Sequence, residues 1–114
     1  MCDQSVLNEI TSKVTQTARD NLGDKLDKVI LYGSYARGDF DNESDVDIMV
    51  LADIPAANRW ATREKFRDLT SDLGLEHNIL ISLNVVDCTT FYHWFDAEPY
   101  YQNVLREGVV LSAD

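Results

Sequence analysis

Gly33-Ser34-Tyr35-Ala36-Arg37-Gly38, followed by Ser44-Asp45-Val46-Asp47, sets a glycine-rich turn behind one apolar strand and two carboxylates at the mouth of another. Val29 to Tyr32 is rich in β-branched residues and ends abruptly at Gly33-Ser34, which reads as a short strand running into a turn. A glycine there lets the backbone approach a phosphate closely, and the amides that follow, with the Ser34 hydroxyl, can donate to its oxygens. Val46 to Leu51 reads as a second strand, buried on both faces. Side chains alternate along a strand, so Asp45 and Asp47 project from one face and can grip one or two Mg²⁺ ions. Phosphoryl and nucleotidyl transfer use that arrangement, in which metal neutralises triphosphate charge and orients it for in-line attack. Each half also has a plainer reading, Gly-Ser as an ordinary turn and Asp-x-Asp as a solvated loop end. In this order and together they favour a site for a nucleotide and its metal, because Asp47 adjoins Ile48-Met49-Val50, an expensive place for an unpaired charge.

Working outward, Val6, Leu7, Ile10, Val14, Ala18 and Leu22 recur at helical spacing, so residues 5–22 are predicted to form an amphipathic helix stopped by Gly23. Asp24 to Lys28 reads as a polar connection, and Tyr35 to Ser44 as a loop with a helical turn at its start. Pro55 suits the first turn of a helix running to about Leu73 and ended by Gly74. Ile79, Ile81, Leu83 and Val85 alternate with a more polar set over Asn78 to Val86, which predicts a third strand. A helix from Pro99 to about Glu107, stopped by Gly108, and an extended piece from Val109 to Leu111 complete the chain. The expected class is α+β, a small mixed sheet with helices against it, and residues 1–114 are expected to form a single domain.

The composition, 45% hydrophobic and 26% charged, is that of a globular protein, and no apolar run is long enough to span a bilayer. The start, Met1-Cys2-Asp3-Gln4-Ser5, lacks a basic and apolar leader, so a cytoplasmic protein is expected, with Cys2 and Cys88 as reduced thiols. A formal charge of −10 argues against direct nucleic-acid binding, which needs a basic surface. It leaves room for a nucleotide, since divalent metal inverts the charge of an acidic pocket.

The quoted motifs resemble the signature of the DNA polymerase β-like nucleotidyltransferase superfamily, above all its small MNT branch, the minimal nucleotidyltransferases. The signature covers residues 29–51, and the ending Tyr101-Gln102-Asn103-Val104-Leu105-Arg106-Glu107-Gly108-Val109-Val110-Leu111 is similar to that branch too. The resemblance implies that Gly33 and Ser34 hold the nucleotide phosphates, that Asp45 and Asp47 are metal ligands, and that Arg37 makes a phosphate or partner contact. For Arg37, pairing with Asp39 or Asp41 to order the loop is the alternative. The resemblance further implies a Mg²⁺-dependent transfer of a nucleoside monophosphate, AMP from ATP, to a hydroxyl, by the antitoxin half of a HEPN/MNT toxin–antitoxin pair. Two other functions stay open, an impaired homologue that acts only by binding a HEPN-type partner, and a small-molecule enzyme of the aminoglycoside nucleotidyltransferase kind.

One departure separates the chain from fully equipped members, which carry a third carboxylate on the strand after the intervening helix. By parity that vacant slot falls at Ser82, with Asn84 as the other choice, and Asp87 reaches it only through a bulge. Arg59, Arg63 and Arg67 repeat every four residues, as a solvated helix face or a basic stripe for phosphate or an acidic partner. His77 and His93 are too isolated to make a metal site with the cysteines. Phe91, Tyr92, Trp94, Phe95 and Tyr100 read first as core packing, but they exceed what one short helix buries on one face, so part of that group also reads as a partner surface, and an oligomer is compatible with it.

Overall fold

The computed structural model describes residues 3–41 and 43–113, so Cys2 lies outside the described residues. Helix α1 (Gln4–Leu22) opens on Asp3, whose carboxylate accepts the Val6 amide at 2.9 Å, and ends at Gly23. A 3₁₀ turn leads into β1 (Leu26–Tyr32), which therefore begins inside the stretch expected to be a polar connection. Leu26 is buried and its pairing with Ala52 extends the ladder, which outweighs the polar neighbours Asp24, Lys25 and Asp27. Then come α2 (Ser34–Arg37), β2 (Val46–Ala52), α3 (Arg59–His77), β3 (Ile81–Asp87), α4 (Cys88–Trp94), α5 (Pro99–Glu107) and β4 (Val109–Ala113).

The strands form one mixed sheet in the order β3-β2-β1-β4. β1 is antiparallel to β2 and to β4, while β2 and β3 are parallel, joined by the crossover through α3. Alternation along the central strands feeds two cores. Val29, Leu31, Val46, Ile48 and Val50 pack with Ile10 and Val14 of α1 and with Phe66 and Leu73 of α3. Ile30, Met49 and Leu51 point the other way, against Phe91 of α4 and Val104 of α5. Phe66 and Phe91 are 1% and 0% exposed, and truncating either to alanine costs about 3–5 kcal/mol, so both helical layers are needed to cover the sheet.

Helix α3 differs from expectation at both ends. Pro55 precedes a 3₁₀ turn over Ala56–Asn58, and the α-helix starts only at Arg59. At the other end the helix runs through Gly74 to His77 and stops at Asn78, in the left-handed region at φ 52°. The Asn78 and Ile79 amides both donate to the Gly74 carbonyl, and a Cβ on Gly74 would sit 2.8 Å from the Ile79 carbonyl oxygen. Gly74 is thus a place for the returning chain to pass, not a terminator. With Asn78 so turned, β3 begins at Ile81.

Candidate active site

The antiparallel pair β1–β2 sets Tyr32 opposite Asp47, so Gly33 leaves the sheet beside that carboxylate. Gly33 adopts φ 75°, ψ −157°, a region open essentially to glycine alone, and a Cβ there would lie 2.3 Å from Asp47 Oδ2. The loop then coils into α2. The Ala36 and Arg37 amides donate to the Gly33 carbonyl at 3.1 Å each, and the Gly38 amide to the Ser34 carbonyl at 2.9 Å. With those amides engaged, Ser34 is the residue through which the turn would meet a phosphate. Tyr35 is buried and its ring stacks on Phe40 at 4.4 Å, which fixes the turn to the core. Farther along, the Asp41 amide donates to Ser44 Oγ at 2.9 Å, closing the acidic loop just before Asp45.

Asp45 and Asp47 are both half-buried at the start of β2. Burial pushes the Asp47 carboxyl above its ordinary value of 3.8, the Asp45 charge adds to this, and the Arg37 charge pulls the other way. Two hard oxygen donors, the Asp47 one raised in pKa by burial and the Asp45 charge and cradled against a glycine that leaves no room for a side chain, fit a divalent cation such as Mg²⁺. Arg37 is held by two acids, its Nε 3.2 Å from Asp39 and its Nη1 3.2 Å from Glu107 at the end of α5. The Asp39 pairing is the loop-ordering role weighed above, and Glu107 ties the loop to the far end of the chain.

Parallel pairing places Ser82 in register with Asp47 and Asn84 in register with Met49. Ser82 is thus the β3 residue beside Asp47, on the same face of the sheet. Asp87 pairs with Ala52 at the opposite end of β2, and it has other work there. It accepts the Ile54 amide at 3.1 Å, caps α4 through the Thr90 amide at 3.1 Å, and faces Arg59 at 3.8 Å. Burial alone would raise its pKa, but those hydrogen bonds and the Arg59 charge hold it below the ordinary carboxylate value. The β2–β3 ladder runs without a register shift, so no bulge re-aims Asp87 toward Asp47.

Sequence reasoning passed over a hydroxyl cluster on the face that carries Asp47. Tyr32 and Tyr100 hydroxyls lie 2.6 Å apart, and the Asn84 amide nitrogen donates to both at 3.0 Å. Burial, then the Tyr100 hydrogen bond, push the Tyr32 phenol well above its usual range, with the Asp47 charge adding to the shift. The signal was parity, since Tyr32 and Asn84 share the face of Asp47. His77 meets carboxylates, not a cysteine: its Nε2 contacts the Glu9 carboxylate, with Glu76 at 3.8 Å, on the side of the molecule where α1 meets α3. Of the aromatic group, Phe91 is core, while Tyr92, Trp94 and Tyr100 are exposed. Cys88 is a half-buried thiol whose pKa burial raises. Among the described residues no helix is long and apolar enough to cross a membrane.

Comparison with known proteins agrees with the geometry. The family model "Polymerase beta, Nucleotidyltransferase" matches residues 12–112. The chain is 43% identical over 75 residues to "Putative protein adenylyltransferase MJ0141" of Methanocaldococcus jannaschii, covering 65% of this chain and 73% of that protein. It is 33% identical over 87 residues to MJ0604 of the same organism, named in the same way, covering 76% and 79%. A crystal structure of a toxin–antitoxin with AMP-PNP superposes with a TM-score of 0.57 at 26% identity, over 91% of this chain and 73% of that one. A mutant of the toxin–antitoxin MntA–HpeT shares the fold, with a TM-score of 0.58 at 24% identity over the same shares of the two chains. The protein belongs to the polymerase β-type nucleotidyltransferase family, in its minimal, MNT branch.

Proposed function

We propose that the chain transfers a nucleoside monophosphate, AMP from ATP, to a hydroxyl of a partner protein, as the MNT-type antitoxin of a HEPN toxin. The observation that carries this reading is the Asp45/Asp47 pair at the mouth of β2, with Gly33 pressed against Asp47 Oδ2, in a chain of this family. The adenylyltransferase names of the archaeal relatives and the AMP-PNP in a toxin–antitoxin neighbour support the choice of nucleotide and partner.

In this reading Asp45 and Asp47 would hold Mg²⁺, which when bound would neutralise triphosphate charge at the α-phosphorus under attack. The Gly33-Ser34 turn brings backbone and hydroxyl donors against the phosphates. Arg37 exchanges a carboxylate for a phosphate oxygen or keeps the loop closed through Glu107. The acceptor oxygen bonds to the α-phosphorus as the bond to the β-phosphate oxygen breaks, pyrophosphate leaves, and the hydroxyl proton passes to water. Ser82 offers no strong base for that proton, so the chemistry relies on positioning and charge neutralisation.

The test is incubation with labelled ATP, Mg²⁺ and the candidate HEPN partner, comparing the wild type with Asp45→Ala/Asp47→Ala. The double variant is expected to lose transfer by about a hundredfold or more, because metal charge stabilisation is worth several kcal/mol. Label that persists on the partner in the double variant refutes the metal assignment. Ser82 in the place of a third acid favours a second reading, an antitoxin that acts only by binding, and no label from the wild type would select it.

A further inference from the structure

β3 is an edge strand, with β2 on one side and, among the described residues, no strand on the other. The Leu80 carbonyl accepts the Val46 amide at 3.0 Å and so faces β2. Backbone direction alternates, which turns the amides and carbonyls of Ile81, Leu83 and Val85 outward. An open row of that kind is a template for another strand unless something covers it.

Here it floors a groove. Three adjoining cavities run along it, about 190 Å³ at the Asp87 end, about 470 Å³ in the middle and about 470 Å³ toward Leu80. The first two share Arg63, Val85, Val86 and Tyr101, and the last two share Arg67, Thr70 and Ile81, so they are continuous. One wall is α3; the other is the start of α5, with Glu98 and Tyr100. At the Leu80 end two large apolar side chains stand in solvent, Leu75 at 82% and Leu80 at 67% exposure. The groove spans the seven residues of β3, roughly 23 Å at about 3.3 Å per residue.

Charge selects the occupant. Arg59, Arg63 and Arg67 line the α3 wall, on a chain whose formal charge is −10. Asp87 faces Arg59 and Glu64 faces Arg67, whereas Arg63, over the middle of the groove, makes no ion pair among the described residues. Glu98 on the opposite wall has its carboxylate on the Tyr100 amide as the cap of α5. A second copy entering by the same edge would set two arginine rows against each other.

We propose that this groove binds an extended acidic segment of the protein that accepts the nucleotide, added to the sheet as a strand beside β3. The added strand would lie two strand spacings, about 9.6 Å, from β2, with the small residue Ser82 between it and Asp47. Delivery of the acceptor rests on the function proposed above; binding in the groove does not.

The probe is a seven-residue peptide in which glutamate alternates with valine, with a lysine-for-glutamate version and an N-methylated version as controls. Amide hydrogen exchange is read by NMR. The glutamate peptide is expected to slow exchange at Ile81, Leu83 and Val85 at least tenfold, while Arg63→Glu weakens binding about tenfold and both control peptides fail. Unchanged exchange at those amides with millimolar peptide overturns the proposal. So does equal binding of the lysine peptide, or protection in the free protein that grows with its own concentration, which marks a second copy. Asp45→Ala/Asp47→Ala separates the two readings: it should lose transfer yet keep the peptide-induced protection. Missing protection in the wild type overturns the groove alone, and transfer surviving in the variant overturns the metal site alone.

Discussion

Replacing Gly33 by alanine tests whether the turn is built around the Asp47 carboxylate. The backbone conformation, φ 75° and ψ −157°, costs a residue with a Cβ about 1–3 kcal/mol. The new Cβ would also lie 2.3 Å from Asp47 Oδ2 and 3.1 Å from its Cγ, and overpacking of that kind adds about 1–3 kcal/mol. The two contributions separate in a double-mutant cycle with Asp47→Ala, because the Asp47 Cβ, at 3.3 Å, is the only one of the three close atoms that alanine keeps. In the alanine background Gly33→Ala should cost the backbone term alone. Urea denaturation of the four proteins gives the coupling, expected at about 1–3 kcal/mol, with each kcal/mol also visible as about 4 °C or more in Tm. A coupling within about 0.5 kcal/mol of zero would refute the claim that the glycine is required by the carboxylate.

Asp47 titrates above its ordinary value in the folded state, so its contribution to stability is full below the unfolded value of 3.8 and is lost as pH rises through the folded one. In the metal-free protein Asp47→Asn should therefore gain Tm over the wild type above that window and show no gain at acid pH; a pH-independent difference would contradict this. Asp87 has the opposite sign, its stabilisation present above the carboxylate range and lost as pH falls through its lowered value. Asp87→Ala should cost about 1–2 kcal/mol at neutral pH through the α4 cap while leaving nucleotide transfer intact; lost transfer at unchanged stability would return Asp87 to the site. Ser82→Asp should raise Mg²⁺ affinity and transfer rate together, since it adds a carboxylate in register with Asp47; unchanged values would rule out Ser82 as the third-ligand position.

What local chemistry decides was legible in the chain. The alternation at Asp45 and Asp47, the apolar stripe of α1, the turn at Gly33 and the proline-led α5 are each specified by neighbours within a few residues. The departures have tertiary causes. Gly74 looks like a helix terminator, but the left-handed residue is Asn78, and the glycine makes room for the Ile79 carbonyl. Helix α4 lies in an aromatic run, and its one local signal is the cap Asp87, a residue type that reads equally well as a ligand. Arg37 with Glu107, and Tyr32 with Tyr100, join residues from opposite halves of the chain, and no periodicity announces them. The β3 groove is harder still, because its floor and walls come from three separate segments.

The strand order carries a consequence for how the molecule is put together. β1 and β2 are central, and the connection between them, through α2, with the strand ends it joins supplies Gly33, Ser34, Arg37, Asp45 and Asp47. Contacts between neighbours in sequence form with the smallest entropic delay. The β1–β2 pair closes the shortest connection in the sheet. β3 lies on one flank, reached by its helical crossover, and β4 on the other, directly after α5, whose last residue Glu107 pairs with Arg37. The Arg37–Glu107 pair therefore ties the loop between β1 and β2 to the docking of α5 and β4, so a change that loosens the far flank of the sheet also loosens that loop.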